Sequence, residues 1–296
     1  MAGSLCCSKG VVYVGSEEKT AHVRSFDLDG RELEASFSFR GPDDAAASVD
    51  GLDLDEDHRL WVADGTGGRL VAFNLFGEEL AGVDGLAAGV HDRGGLLGRV
   101  IDVCSSGSDD AQELVVASAG ARRHALQRLE LGSGRTHSLR SGGQVDRSFR
   151  DLRGVARRDE WIWAAERGGG RVQVFRGGDF HFEIRLALGG SAPFLPNAVQ
   201  PVDDGRLALA VGGEASAVLL LDAGGKLLRV LAEAGDGEGS VLEPTDLALA
   251  PGVDDRHQRL VVIDREGTRV QLFNLLGDCY GTFPGFARSE SSWSLD

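Results

Sequence analysis

RLVVIDREGTRVQLFNLLG, residues 259–277, decides how this chain reads. An apolar run leads to an acidic residue, Asp264. Arg269 follows five places later, and a second apolar run closes on a glycine. The pattern recurs as RLWVADGTGGRLVAFNLFG at 59–77 and as EWIWAAERGGGRVQVFRGG at 160–178, with the pairs Asp64/Arg69 and Glu166/Arg171. Three weaker copies lie between, at 11–30, 113–134 and 206–225; they keep both apolar runs and the polar turn but lack the acid–arginine pair. Turn glycines fall at Gly30, Gly77, Gly134, Gly178, Gly225 and Gly277. Six units in this chain average about 49 residues each, which is a propeller-like period.

Each unit resolves into four short strands. A segment such as DGLDLDED (50–57) or TDLALAP (245–251) precedes the first apolar run, and one such as KLLRVL (226–231) follows the glycine turn. The second strands, LWVA, LVVI, LALA, LVVA and WIWA, are nearly continuous apolar runs. A half-exposed strand would alternate, so these are buried on both faces, as in sheets stacked around an axis. Helix is disfavoured because glycine interrupts every candidate and few apolar positions follow a 3.6 period. The expected fold is all-β, a single six-bladed β-propeller of four-stranded antiparallel blades. The blades fall at about 3–48, 49–97, 98–149, 150–195, 196–242 and 243–283, with residues 284–296 as a tail.

Composition agrees with this and narrows the function. The 296 residues are 42% hydrophobic and 26% charged, enough for a sizeable core, and the 43 glycines suit many tight turns. The formal charge of −15 repels phosphate backbones and anionic membranes. Cys6, Cys7, Cys104 and Cys279 form no C-x-x-C pair and read as reduced, mostly buried thiols, pointing to a cytoplasmic protein. MAGSLCCSKG lacks the features of a signal peptide, and no apolar run approaches a membrane span. The expectation is a monomer that binds neither nucleic acid nor membrane.

The units resemble NHL repeats of six-bladed propellers over about residues 3–283. The resemblance rests on the apolar strand, the acid, the arginine and the following strand ending in Phe73, Phe175 or Phe273. It implies that the pairs bridge neighbouring structure at the turn between second and third strands. A catalytic pair would not need to recur in three blades, so the pairs are structural, each contributing under ~1 kcal/mol if solvent-exposed.

Catalytic motifs are lacking. There is no G-x-S-x-G elbow, H-E-x-x-H or phosphate loop; RGGGR at 167–171 sits in a hairpin turn. The seven histidines, His22, His58, His91, His124, His137, His181 and His257, are scattered. The acidic turns DLDEDH (53–58) and GVDDRH (252–257) read as solvated hairpins, since EF-hand spacing is absent. The best candidates come from ring geometry. The residues just before each first strand, Asp50, Arg99, Arg153, Asn197 and Thr245, should rim one mouth of the central channel. Two cations and one anion there favour an anionic or neutral polar guest.

The expected role is a non-enzymatic scaffold that binds a protein partner or a small polar or anionic ligand through one face or the channel mouth, without a cofactor. The chain also resembles gluconolactonase and senescence-marker-type lactonases in VDGLDLDEDHRLWVA and PNAVQPVDDGRLALA. That resemblance implies the alternative, a lactone hydrolase with one divalent metal held by Asp50 and Asn197. No acidic residue precedes the first blade to complete that ligand set, and Arg99 and Arg153 place positive charge beside it. Two further expectations concern the ends and the rim. The ring should close by packing of blade one on blade six, with Phe286, Trp293 and Leu295 docking the tail. Residues 84–97, with Gly85, Gly89, Gly94 and Gly95 as hinges, are a candidate gate over the mouth.

Overall fold

The computed structural model describes residues 2–17, 20–80, 99–106, 113–119, 124–131, 133, 135–142, 149–187, 191–203, 205–264 and 268–283. Within them the apolar runs pair as six antiparallel sheets. Blade one holds β1 (Ala2–Ser8), β2 (Val11–Glu17), β3 (Ala21–Asp27) and β4 (Phe37–Phe39). Blade two holds β5 (Gly51–Leu54), β6 (Leu60–Asp64) and β7 (Arg69–Phe73), and its fourth position is a bridge from Phe73 to Glu79. Blade three holds β8 (Arg99–Ser106), β9 (Glu113–Ala119), β10 (His124–Glu130) and β11 (Thr136–Leu139). Blade four comprises β12 (Leu152–Arg158), β13 (Trp161–Glu166), β14 (Arg171–Arg176) and β15 (Asp179–Ile184). Blade five comprises β16 (Pro196–Asp203), β17 (Arg206–Val211), β18 (Ala217–Asp222) and β19 (Leu227–Ala232). Blade six comprises β20 (Asp246–Ala250), β21 (Arg259–Asp264), β22 (Arg269–Phe273) and β23 (Cys279–Thr282). The protein is a six-bladed β-propeller. The first strands β1, β5, β8, β12, β16 and β20 pack in sequence around the axis, and β20 meets β1.

The core lies between blades. An apolar cluster fills each of the six gaps; Ala63, Leu70 and Val116, for example, join blades two and three. This explains why β6 is buried along its whole length: one face serves one gap and the other face the next. The third-to-fourth strand turns follow a shared rule. The side-chain oxygens of Asp27, Asn74, Asp222 and Asn274 accept backbone N–H groups two and four residues on. Gly30, Gly77, Gly225 and Gly277 supply the left-handed residue that lets each chain return.

Among the described residues, closure uses no shared strand. β1 pairs only with β2, and blades six and one are joined by Leu5, Val12, Val14 and Phe26 packed on Val261, Ile263, Val270 and Leu272. The Phe26 and Phe283 rings lie 5.5 Å apart across this seam. Asp246 adds a polar tie, accepting from Ser4 Oγ and the Leu5 N–H at 2.8 Å each. The tail beyond residue 283 and the segment 84–97 lie outside the described residues.

The fourth strand of blade one is short, Phe37–Phe39, because residues 32 and 33 bond only locally to Phe26 and Ser25. Two sequence expectations need correction. The acidic turn at 53–58 is not simply solvated. Asp55 is buried, and its carboxylate accepts from the Arg59 backbone, the Arg59 guanidinium and the Trp61 indole. Finally, the acid–arginine pairs are not exposed. Asp64, Glu166 and Asp264 are each 0% exposed, and Arg69, Arg171 and Arg269 are buried beside them.

Those pairs clip the connection from the preceding blade to the blade it feeds. The Glu166 carboxylate accepts from Arg171 Nε at 2.6 Å, Gln173 Nε2 at 2.7 Å and the Arg150 N–H at 2.7 Å. Arg171 in turn donates to the Gly142 carbonyl and to Ser141 Oγ, both at 2.9 Å. Asp264 similarly accepts the Leu242 and Glu243 N–H groups, while Arg269 caps the carbonyls of Asp236, Gly237 and Ser240. Asp64 accepts the Ser48 N–H, and Arg69 reaches the Arg40 carbonyl. Removing one partner strands a buried charge, which costs about 3–5 kcal/mol. Arg171→Ala should therefore lower unfolding free energy by about that amount in a urea titration. Arg176→Ala, which breaks the exposed pair with Glu160, should leave the midpoint in place.

Candidate functional site

The strand-start residues are positioned by a repeated backbone device. The N–H groups of Asp50 and Thr245 donate to the carbonyls of Ala63 and Ile263, each 2.9 Å, extending the pairing of first and second strands by one residue. Equivalent registers bring Asp50, Arg153, Asn197 and Thr245 onto the wall of one cavity of about 770 Å³ at a mouth of the channel; in blade three that position is Ile101, and Arg99, two residues earlier, lines the same wall. The same wall includes His124, Asp151, Arg167 and Glu243, which sequence reasoning did not select. A signal for them existed. Asp151 and Glu243 stand two residues before Arg153 and Thr245, and Arg167 follows the recurring acid Glu166.

Electrostatically the mouth is built from three ion pairs rather than two cations and one anion. Arg99 pairs with Asp50, Arg153 Nε with Asp151 at 2.9 Å, and Arg167 with Glu243 at 2.7 Å. The pairs differ in exposure: the side chains of Arg99 and Arg153 are 65% and 51% exposed and that of Asp151 38%, whereas Asp50 is 14% exposed and Arg167 and Glu243 are 23% and 24% exposed. Asp50 is fixed from behind by Ser48 Oγ and the Gly65 N–H. Glu243 accepts the Gly213 N–H at 2.7 Å and Asn197 Nδ2 at 3.0 Å, and the bound arginine holds its carboxyl below the usual range against the opposing effect of burial. Asn197 is 3% exposed and fully engaged: its Oδ1 accepts from Arg167, and its amide also reaches the Pro244 carbonyl at 2.8 Å.

Two further groups face the cavity. The Leu152 N–H donates to His124 Nδ1 at 3.1 Å, and burial lowers the pKa of the ring. The neutral ring therefore carries its proton on Nε2 and is a donor there, not a base. Thr245 Oγ1 is buried without a hydrogen-bond partner among the described residues.

The pair implied as metal ligands, Asp50 and Asn197, does not fit a divalent cation. Both oxygens of Asp50 are engaged, one by a guanidinium, and the Asn197 oxygen is held by a second guanidinium. Among the described residues, no three His, Cys, Asp or Glu side chains are grouped to hold a metal. His58 and His257 also stay apart, with His58 beside Lys9 and His257 beside Asp254.

Farther along the axis lies a second cavity of about 250 Å³; among the five acidic residues on its wall, Asp53, Asp102 and Asp246 form a set that sequence reasoning missed. Asp102 accepts the Val155 N–H of the next blade at 2.7 Å, Asp246 accepts that of Leu5, and Asp53 accepts the Ser105 N–H at 2.6 Å. Burial is the main cause that raises all three, Asp53 and Asp246 to about 6 and Asp102 further, with Asp102 opposed also by the charge of Asp246. The thiols of Cys6, Cys7 and Cys104 line the same stretch, and burial pushes them up as well. All four cysteines are free.

No family model matches this chain, and no curated protein matches it. Solved structures do. The chain is similar to a propeller in the crystal structure of a nidogen/laminin complex, at 13% identity and TM-score 0.64, over 93% of each chain. It is similar to virginiamycin B lyase from Staphylococcus aureus at 12% identity and TM-score 0.58, over 96% of this chain and 84% of that one. A streptogramin B lyase structure matches at 15% identity and TM-score 0.53, over 78% and 67% of the two chains. At these identities the likeness shows the propeller fold.

The channel carboxylates set a pH dependence. A carboxyl raised from about 3.9 unfolded to about 6 folded binds its proton more tightly in the folded state. Its stabilising contribution is full below pH ~4 and is lost as pH rises through ~6. Water in the channel screens part of this, so the swing for Asp53 should be about 1–3 kcal/mol. Denaturant titrations at pH 4.5 and 7.5 should show Asp53→Asn losing less stability than the unaltered protein over that interval. Parallel pH profiles would remove Asp53 as the cause.

Proposed function

We propose that the protein is a non-enzymatic propeller scaffold of NHL type that binds a small polar ligand or a protein partner at the channel mouth. The supporting observation is the convergence of five strand-start residues, with three ion pairs, on one cavity large enough for a small molecule. The acid–arginine pairs support a structural rather than chemical use of the recurring motif, since each is buried and fastened to backbone. His124 offers a donor where hydrolysis would want a base. The fold itself leaves the choice open: similar rings occur in a laminin complex and in lyases.

The alternative reading, a metal-dependent lactone hydrolase, meets the guanidinium groups already bonded to its two implied ligands. Elemental analysis of the purified protein separates the two. The scaffold reading expects no stoichiometric calcium or zinc and no lactone hydrolysis above background. One divalent ion per chain together with turnover would replace it with the enzyme reading.

A net charge of −15 and arginines already committed to carboxylates also bear on nucleic acid. Fluorescence anisotropy with single-stranded RNA at physiological salt should show no binding. Micromolar affinity or better would refute that expectation.

A further inference from the structure

Hydrogen-bond accounting at the mouth narrows the guest. The acceptors there are largely spent. Asp50 is taken by Ser48, Gly65 and Arg99, Glu243 by Gly213, Asn197 and Arg167, and the Asn197 oxygen by Arg167. The donors are not spent. A guanidinium carries five N–H donors; among the described residues Arg99 uses one on Asp50, and Arg153 uses those facing Asp151. His124 adds an Nε2–H. Exposure supports the same division for Arg99 and Arg153, which are exposed ends of long side chains, while Asp50 and Glu243 are bonded to the backbone behind them. An arriving oxyanion can take the free edges of the guanidinium groups without breaking the pairs that neutralise them. A bare cation finds each of the three carboxylates already paired with a guanidinium, and an amine finds donors opposite donors.

We infer that the mouth cavity recognises a small organic oxyanion, a carboxylate or a phosphate ester, with Arg99 and Arg153 as its ligands and His124 as a neutral hydrogen-bond donor. This rests on the mouth being the binding site proposed above. Asp50 and Asp151 then act as internal competitors that hold the arginines in place and set how tightly the guest binds. Asp151 suits that use: apart from Arg153 its carboxylate has no hydrogen-bond donor among the described residues, and its backbone is held left-handed at φ 52°.

The test uses isothermal titration and thermal shift with the full chain at physiological salt. Citrate, inorganic phosphate and glucose 6-phosphate serve as oxyanion probes, with glucose and malonamide as neutral counterparts. At least one oxyanion should bind at one site per chain while the neutral probes do not. Arg99→Ala and Arg153→Ala should each weaken binding about tenfold or more, as expected for loss of a charge-assisted bond. Arg176→Ala, at the opposite end of blade four, should leave affinity unchanged. Asp151→Asn should tighten binding by releasing Arg153, and asparagine tolerates the left-handed backbone. This gain-of-affinity variant keeps the test decisive if an alanine variant misfolds. A response to citrate alone assigns a carboxylate, and a response to both phosphates without citrate assigns a phosphate. Binding of glucose or malonamide equal to the oxyanions, insensitive to Arg99 and Arg153, overturns the oxyanion assignment and leaves the scaffold reading standing. Absence of binding by every probe overturns the oxyanion assignment and leaves only the protein-partner form of the scaffold reading.

Discussion

Ring closure governs this molecule. Six twisted sheets must meet edge-on at one axis, and each must bury both faces against neighbours that are not continuous with it in hydrogen bonding. Side-chain packing across six gaps therefore supplies the cohesion, and polar ties fix how the blades are rotated relative to one another. Those ties come in two concentric sets. Near the axis, Asp53, Asp102 and Asp246 reach across a gap to a backbone N–H of the next blade. Farther out, the buried acid–arginine pairs of blades two, four and six fasten the incoming connection. Both sets place carboxylates where burial works against their charge, and only the outer set answers each with an arginine.

That difference shapes the channel. Where a guanidinium is present, the acid is paired with it and fastened to backbone N–H groups. Along the axis the carboxylates have only N–H and hydroxyl donors for company, so their protonation is the adjustable quantity. The mouth lies between these regimes. Its carboxylates are neutralised as in the outer set, but by arginines that still look into open space.

Much of this was legible in the sequence because propeller geometry converts repetition into position. RLWVAD, WIWAAE and RLVVID announce doubly buried strands, and the Asp-to-Arg spacing marks the turn that follows. The same register brought Asp50, Arg153, Asn197 and Thr245 to one wall, which Arg99 reaches from two residues before the matching position, Ile101. What stayed hidden was pairing across blades. Asp50 and Arg99 are 49 residues apart, as are Arg206 and Asp255, about one repeat in each case, and nothing in a single blade shows that its neighbour supplies the counter-charge. Burial of Arg171 was equally invisible, since an arginine in a glycine-rich turn looks like a surface residue until its connection folds over it. Asp102 and Asp246 were missed for a related reason. They sit on first strands, at positions where blade two has Gly51 and blade four has Gly154, so no repeat marked them. Gly51 itself explains the restriction: a Cβ there would lie 2.6 Å from the Asp102 Cα.

The seam between blades one and six has a mechanical meaning. Because β1 belongs wholly to the first sheet and β23 wholly to the last, tension applied between residues 2 and 283 falls on side-chain packing and the Asp246 contacts, with no strand ladder to shear. A ring latched by a shared strand would resist such a load along a row of backbone bonds. Here the seam would yield first, and the disc would open as a C-shaped stack in which five of the six gaps keep their cores. Under force, this propeller is a clasp rather than a hoop.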